Sequence, residues 1–190
     1  MRTDEEIAEL IRLYLPKQAL FEIIDQFQLD IMQEHGLPHW IRVAANGLYL
    51  APETGASDKL AVLFAIFHDC RRLNDYEDPK HGARGAAYFQ ESFQQRLGIG
   101  PREAGILCRA CAGHTHELHS ADPDIGTLWD ADRLDLYRVG VHPDPEYFST
   151  EYAKSEEVVK WANRSAFSSF NQLLPIGQEL LSEYESISIS

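Results

Sequence analysis

The chain has 190 residues, 44% of them apolar and 25% charged, which is enough for one domain with a sizeable core. Its formal net charge of −13 argues against a protein that coats nucleic acid electrostatically, and no window approaches the ~18 uncharged apolar residues of a membrane span. Three cysteines (Cys70, Cys108, Cys111) make no disulfide framework, and the acidic, amphipathic start "MRTDEEIAEL" is unlike a secretory signal, so a cytoplasmic protein is expected.

The apolar pattern is helical almost throughout. "TDEE" at residues 3–6 fits a capping box, with Thr3 as N-cap and Glu6 reaching back. Ile7, Leu10, Ile11 and Tyr14 follow at helix spacing, and Pro16 ends the run. A second helix is expected over residues 17–34, broken by "HGLP", and a third starts at "HWIRVAANGLYLA". Ser57 or Asp58 caps a fourth that runs into His68 and Asp69. A fifth spans residues 81–97 and closes at Gly98; a sixth opens at Pro101 and runs to Gly113. "DPDIGTLWDADRLDLYRVG" holds a seventh, stopped by Gly140. After the Pro-rich loop "VHPDPEYFST", Ser149 or Thr150 caps a helix through Trp161, and a last helix precedes the polar tail "ESISIS". No strand ladder, repeat or linker interrupts this pattern. It predicts one all-α domain over residues 1–190, with a core at 35–140 and C-terminal helices from 151–190 packing on it.

His39, His68, Asp69, His81, His114 and Asp132 each fall at or near an expected helix end. In a bundle, several helix ends can converge on one cavity. Imidazole and carboxylate suit a divalent Fe, Mn, Zn, Ni, Co or Mg better than Ca. His68 and Asp69, adjacent on a helix, point about 100° apart and can line a cavity from two sides. Cations gather nearby in sequence: Arg42, Arg71, Arg72, Lys80 and Arg84.

The order His39, His68-Asp69, then a distal Asp132 resembles the HD-domain superfamily of metal-dependent phosphohydrolases. "AVLFAIFHD" looks like that family's apolar helix closing on its His-Asp pair, and "DADRLD" looks like its final motif, with Asp132 as ligand. "HGARGA" and "GHTHE" are similar to the two extra histidine motifs of the binuclear branch, which map to His81 and His114. The resemblance covers roughly residues 35–140. It implies an HD-type helical bundle with one or two divalent ions: Asp69 bridging, His39, His68 and Asp132 on one ion, His81 and His114 on the other. It implies hydrolysis of a small phosphorylated compound, a nucleotide or phosphate ester, by a metal-activated water. Asp69, Arg72 and Lys80 would be catalytic, Arg72 being the preferred phosphate clamp because a planar guanidinium grips two oxygens at once. Arg71, His35 and Thr150 would contact substrate, Thr150 through the free N–H groups of a helix start. Only one of Arg71 and Arg72 can face the cavity; the other pairs on the surface.

Alternatives stand beside this set. His116 can replace His114, whereas His142 is expected to face solvent. "CRAC" at 108–111 has no second cysteine pair, so Cys108 and Cys111 read as buried packing residues. The same ligands would serve an HD-type di-iron oxygenase such as myo-inositol oxygenase, or a non-catalytic, metal-stabilised sensing module. The expected partner is a small phosphorylated molecule, with no nucleic-acid polymer, no membrane and a homo-oligomer left open.

Overall fold

Helix breakers and caps, with no alternating apolar pattern anywhere, set the architecture. The computed structural model describes residues 2–168 and 174–188, and every regular element among them is helical. The helices are α1 (Asp4–Tyr14), α2 (Lys17–Gln26), α3 (Leu37–Thr54), α4 (Asp58–Phe67), α5 (His81–Ser92), α6 (Pro101–Gly113), α7 (Pro123–Leu134), α8 (Glu156–Ser168) and α9 (Leu174–Ser188). Short 3-10 turns cover Asp135–Val139 and Pro145–Tyr147. Among the described residues no helix is long and apolar enough to cross a membrane.

Local signals place most boundaries. Thr3 and Glu6 close the capping box of α1, Ser57 caps α4, and Gly140, at φ 74°, stops the turn after α7. Three boundaries differ from expectation. α2 ends at Gln26, eight residues early, because the Asp30 carboxylate accepts the Met32 N–H at 2.9 Å and turns the chain out of the helix. α5 stops at Ser92, and Gly98, at φ 63°, closes the coil that follows. α8 opens at Glu156, where Ser155 Oγ accepts the Val158 N–H, and runs beyond Trp161 to Ser168; Ser149 and Thr150 do not cap it. α9 continues through Ser188, so four residues of the expected polar tail are helical and the last two lie outside the described residues.

α3 and α4 form the centre. From Leu60 to Phe67, α4 is buried all round, which fits a helix without a polar face. α3 packs on α4 and α7, α6 on α4 and α7, and α5 lies along α6 and touches α4. α1 and α9 cover α3, and α8 leans on the Asp135–Val139 turn. Trp129 Nε1–H donates to Ala110 O at 2.9 Å, tying α7 to α6, and Asn46 Nδ2–H donates to Ala131 O at 2.8 Å, tying α3 to α7.

Two glycines decide how close α5 can come. A Cβ on Gly82 would lie 2.0 Å from Cys111 O, and one on Gly85 would lie 2.0 Å from Phe67 O. The "HGARGA" run is therefore a contact surface as well as a ligand motif. Gly85→Ala is expected to lose about 1–3 kcal/mol by forcing α5 off α4, read as a lower urea midpoint. Gly105→Ala, exposed on α6 with nothing within 4 Å, should instead gain roughly 0.5–1 kcal/mol.

Candidate metal centre

Each ligand-type residue sits where a helix begins or ends. His39 is in the first turn of α3, His68 caps the C-terminus of α4, and Asp69 follows it. His81 opens α5, His114 caps the C-terminus of α6, and Asp132 is in the last turn of α7. All lie at most 7% exposed except Asp132, whose side chain is 21% exposed and forms the open side.

The tautomers follow from the partners of Nδ1. His68 Nδ1–H donates to Ala65 O at 2.9 Å and Phe64 O at 3.1 Å. His114 Nδ1–H donates to Cys111 O at 2.7 Å, and His81 Nδ1–H to Asp78 O. His39 Nδ1–H donates to Asp135 Oδ2 at 2.7 Å. With the proton on Nδ1, each Nε2 carries a bare lone pair. Those lone pairs face each other: His39 Nε2 is 3.1 Å from His68 Nε2, and His81 Nε2 is 2.9 Å from His114 Nε2. In these tautomers neither contact has a proton to share; beside the second pair, Arg72 Nη1 lies 3.3 Å from His81 Nε2.

Asp69 stands between the two pairs. Its Oδ2 lies 3.7 Å from His39 Nε2 and 3.8 Å from His68 Nε2, and accepts the His35 Nδ1–H at 2.8 Å. Its Oδ1 lies 3.0 Å from His81 Nε2 and 3.7 Å from His114 Nε2, and is buried with no hydrogen-bond partner among the described residues. Asp132 Oδ1 adds a second carboxylate, 3.4 Å from His39 Nε2 and 3.7 Å from His68 Nε2. Three trios bring donor atoms within 4.8 Å of one another: His39–His68–Asp69, His68–His114–Asp132 and Asp69–His81–His114.

The charge states within the donor set differ: burial would lower His114, but its hydrogen bond to Asp69, the charges of Asp132 and Asp69 and the Cys111 carbonyl raise it. Burial pushes His68 down to about 3, against the pull of Asp69 and Asp132, so its imidazole is neutral. Burial would raise Asp69, but His68, His114, His35 and His81 hold it well below the usual carboxylate range. Asp132 is likewise held far down against burial, by His39, His68 and His114. Neutral imidazoles and ionised carboxylates are the forms that bind a divalent cation. A buried Asp69 oxygen without a donor and opposed Nε2 lone pairs fit such an ion.

Arg72 joins the cluster: its Nη1 lies 3.2 Å from His81 Nδ1 and 3.7 Å from Asp69 Oδ1. Arg71 does not. Its guanidinium lies over the Tyr88 ring, 4.7 Å from the centroid, with Nη1 donating to Gln26 Oε1. Lys80 is exposed at the N-cap of α5. At Thr150 the N–H and hydroxyl, with the Ser149 N–H, all donate to Asp130. His116 is exposed and bonded to Pro79 O, which leaves His114 as the inward histidine. His142 contacts the Tyr137 hydroxyl.

Asp135 was not among the expected site residues. Its carboxylate anchors His39 and accepts Arg42 Nε–H at 2.6 Å and Nη2–H at 3.1 Å. The sequence held a signal: Asp135 lies three residues, nearly one helical turn, beyond Asp132 in "DADRLD".

No family model matches the chain, and neither does any curated protein. Among solved structures, the chain is similar to a protein described as a predicted HD superfamily hydrolase from an uncultured Thermotogales bacterium. The two share 23% identity with a TM-score of 0.58, over 88% of this chain and 92% of that one. The all-α, HD-type fold expected from the motifs is the fold observed.

Asp135 holds the His39 ring from its Nδ1 side, a contact that sets a ligand's orientation and basicity. Asp135→Ala is expected to weaken affinity for a divalent ion about 10–100-fold, as measured by competition with a chromogenic chelator.

Proposed function

We propose that this protein is a metal-dependent phosphohydrolase acting on a small phosphorylated compound, a nucleotide or related phosphate ester. The observation that carries it is the set of opposed Nε2 lone pairs with Asp69 between them. In this reading His39, His68 and Asp132 would hold one divalent ion and His81 and His114 a second, with the Asp69 carboxylate, which stands between the two pairs, as a further ligand. Such ions, when bound, supply Lewis acidity and lower the pKa of water from 15.7 toward about 7.

The chain's own residues do the remaining work. His35 fixes one oxygen of Asp69 and leaves the other free for the second histidine pair. Arg72, beside Asp69 and His81, is placed to bind phosphoryl oxygens as they gain charge. Its Nε is buried without a partner among the described residues, so a ligand oxygen there would satisfy it. Lys80, exposed just before His81, offers a second cation on a long stem.

His68→Ala and Asp69→Ala are expected to lose bound metal by elemental analysis, and phosphate release from nucleotide and phosphate-ester panels, while circular dichroism stays helical. Full metal content in either variant would refute the ligand assignment. Iron retention with O₂ uptake and no phosphate release would overturn the hydrolase reading in favour of an oxygenase. Arg72→Gln should keep its metal and lose roughly 100-fold in kcat, the scale of removing one transition-state donor.

A further inference from the structure

A second cation pair lies behind His39, on the Nδ1 side of its ring. Arg42 and Arg138 both reach the Asp135 carboxylate, Arg42 through two hydrogen bonds and Arg138 at 3.5 Å. Arg138 also donates from Nε to Glu34 O and from Nη1 to Asp135 O. These bonds use part of each guanidinium only. Arg42 Nη1 and Arg138 Nη2 have no hydrogen-bond partner among the described residues. Both arginines line a pocket of about 240 Å³ together with Met32, Gln33, Glu34 and Pro38.

The charges there do not cancel. Two guanidiniums share one buried carboxylate, so the Arg42–Asp135–Arg138 group carries a surplus positive charge. Arg42 is only 7% exposed, so that surplus is poorly screened by solvent. Glu34, the acid of the lining, is exposed and forms no ion pair with either arginine among the described residues. The pocket is smaller than the roughly 300 Å³ of a typical drug-sized site. It suits one compact anionic group held by two planar, forked donors.

We infer that Arg42 and Arg138 form an anion site for a phosphoryl group, separate from the metal cluster and joined to it through Asp135 and His39. The phosphoryl group is either free phosphate or the far end of a substrate with more than one phosphate. Only the second source rests on the hydrolase reading. Because Arg42 Nη1 and Arg138 Nη2 are not engaged by Asp135, an anion that meets them leaves the bonds to Asp135 in place.

Inorganic phosphate titrated by calorimetry into chelator-treated protein tests this without any metal. Saturable binding is expected in wild type and unchanged in His68→Ala. It should weaken at least tenfold in Arg138→Gln, less in Arg138→Lys, and tighten severalfold in Glu34→Gln, a change that misfolding would not produce. None of the Arg138 or Glu34 variants should lose metal, so failure here is distinguishable from failure of the hydrolase reading. With turnover measured, a phosphate-induced rise in KM at constant kcat that Arg138→Gln abolishes identifies the site with the substrate's far end; a change in kcat that Arg138→Gln abolishes identifies a free effector. Absence of phosphate binding to the chelated protein, or equal affinity in Arg138→Gln, would overturn the proposal.

Discussion

Four imidazoles turn bare Nε2 lone pairs toward one another in two pairs, 3.1 Å and 2.9 Å apart. Two carboxylates close around the same space. That arrangement is repulsive on its own terms, and a positive ion relieves it. What makes it possible is the other nitrogen of each ring, which is committed to a fixed acceptor. For His68 and His114 the acceptor is a carbonyl of the last helical turn, a group that the helix itself leaves unsatisfied. The same hydrogen bond thus caps a helix and prepares a ligand. Placing metal-ligand residues at helix C-termini is therefore chemically economical.

The second pair depends on backbone proximity. His81 sits on the first turn of α5, and α5 reaches His114 only because Gly82 lets it lie against the end of α6. Gly85 does the same against the end of α4. The candidate ligand His81 and the spacer glycines thus lie in one short run. On the far side, Gly47 in α3 brings α3 against α4 and α7: a Cβ there would lie 2.8 Å from the Ala61 Cβ and 3.6 Å from the Ala131 Cβ. The helices carrying His39, His68 and Asp132 converge for that reason.

Net charge misleads about local chemistry here. The chain is acidic overall, yet Arg72 stands against one side of the cluster and Arg42, with Arg138, against the other. Asp135 turns the second group of cations into a support for His39 rather than a repulsion against a bound ion. The buried cluster is a chain of fixed partners from Arg42 through Asp135 to His39, so its geometry does not rely on solvent-exposed side chains.

The helical class, most capping signals and the ligand-type residues that come together were legible in the sequence. Each depends on short-range rules: apolar period, caps, and the chemistry of imidazole and carboxylate. Even the choice between Arg71 and Arg72 was framed there, since adjacent residues on one turn cannot face the same way. Tertiary structure alone decided which one faced in, and placed His114 inside with His116 outside. It also revealed Asp135 as the partner of His39 and showed Thr150 committed to Asp130. These outcomes are set by where a side chain's hydrogen-bond partner lies after distant segments have packed, and the distance along the chain carries no record of that.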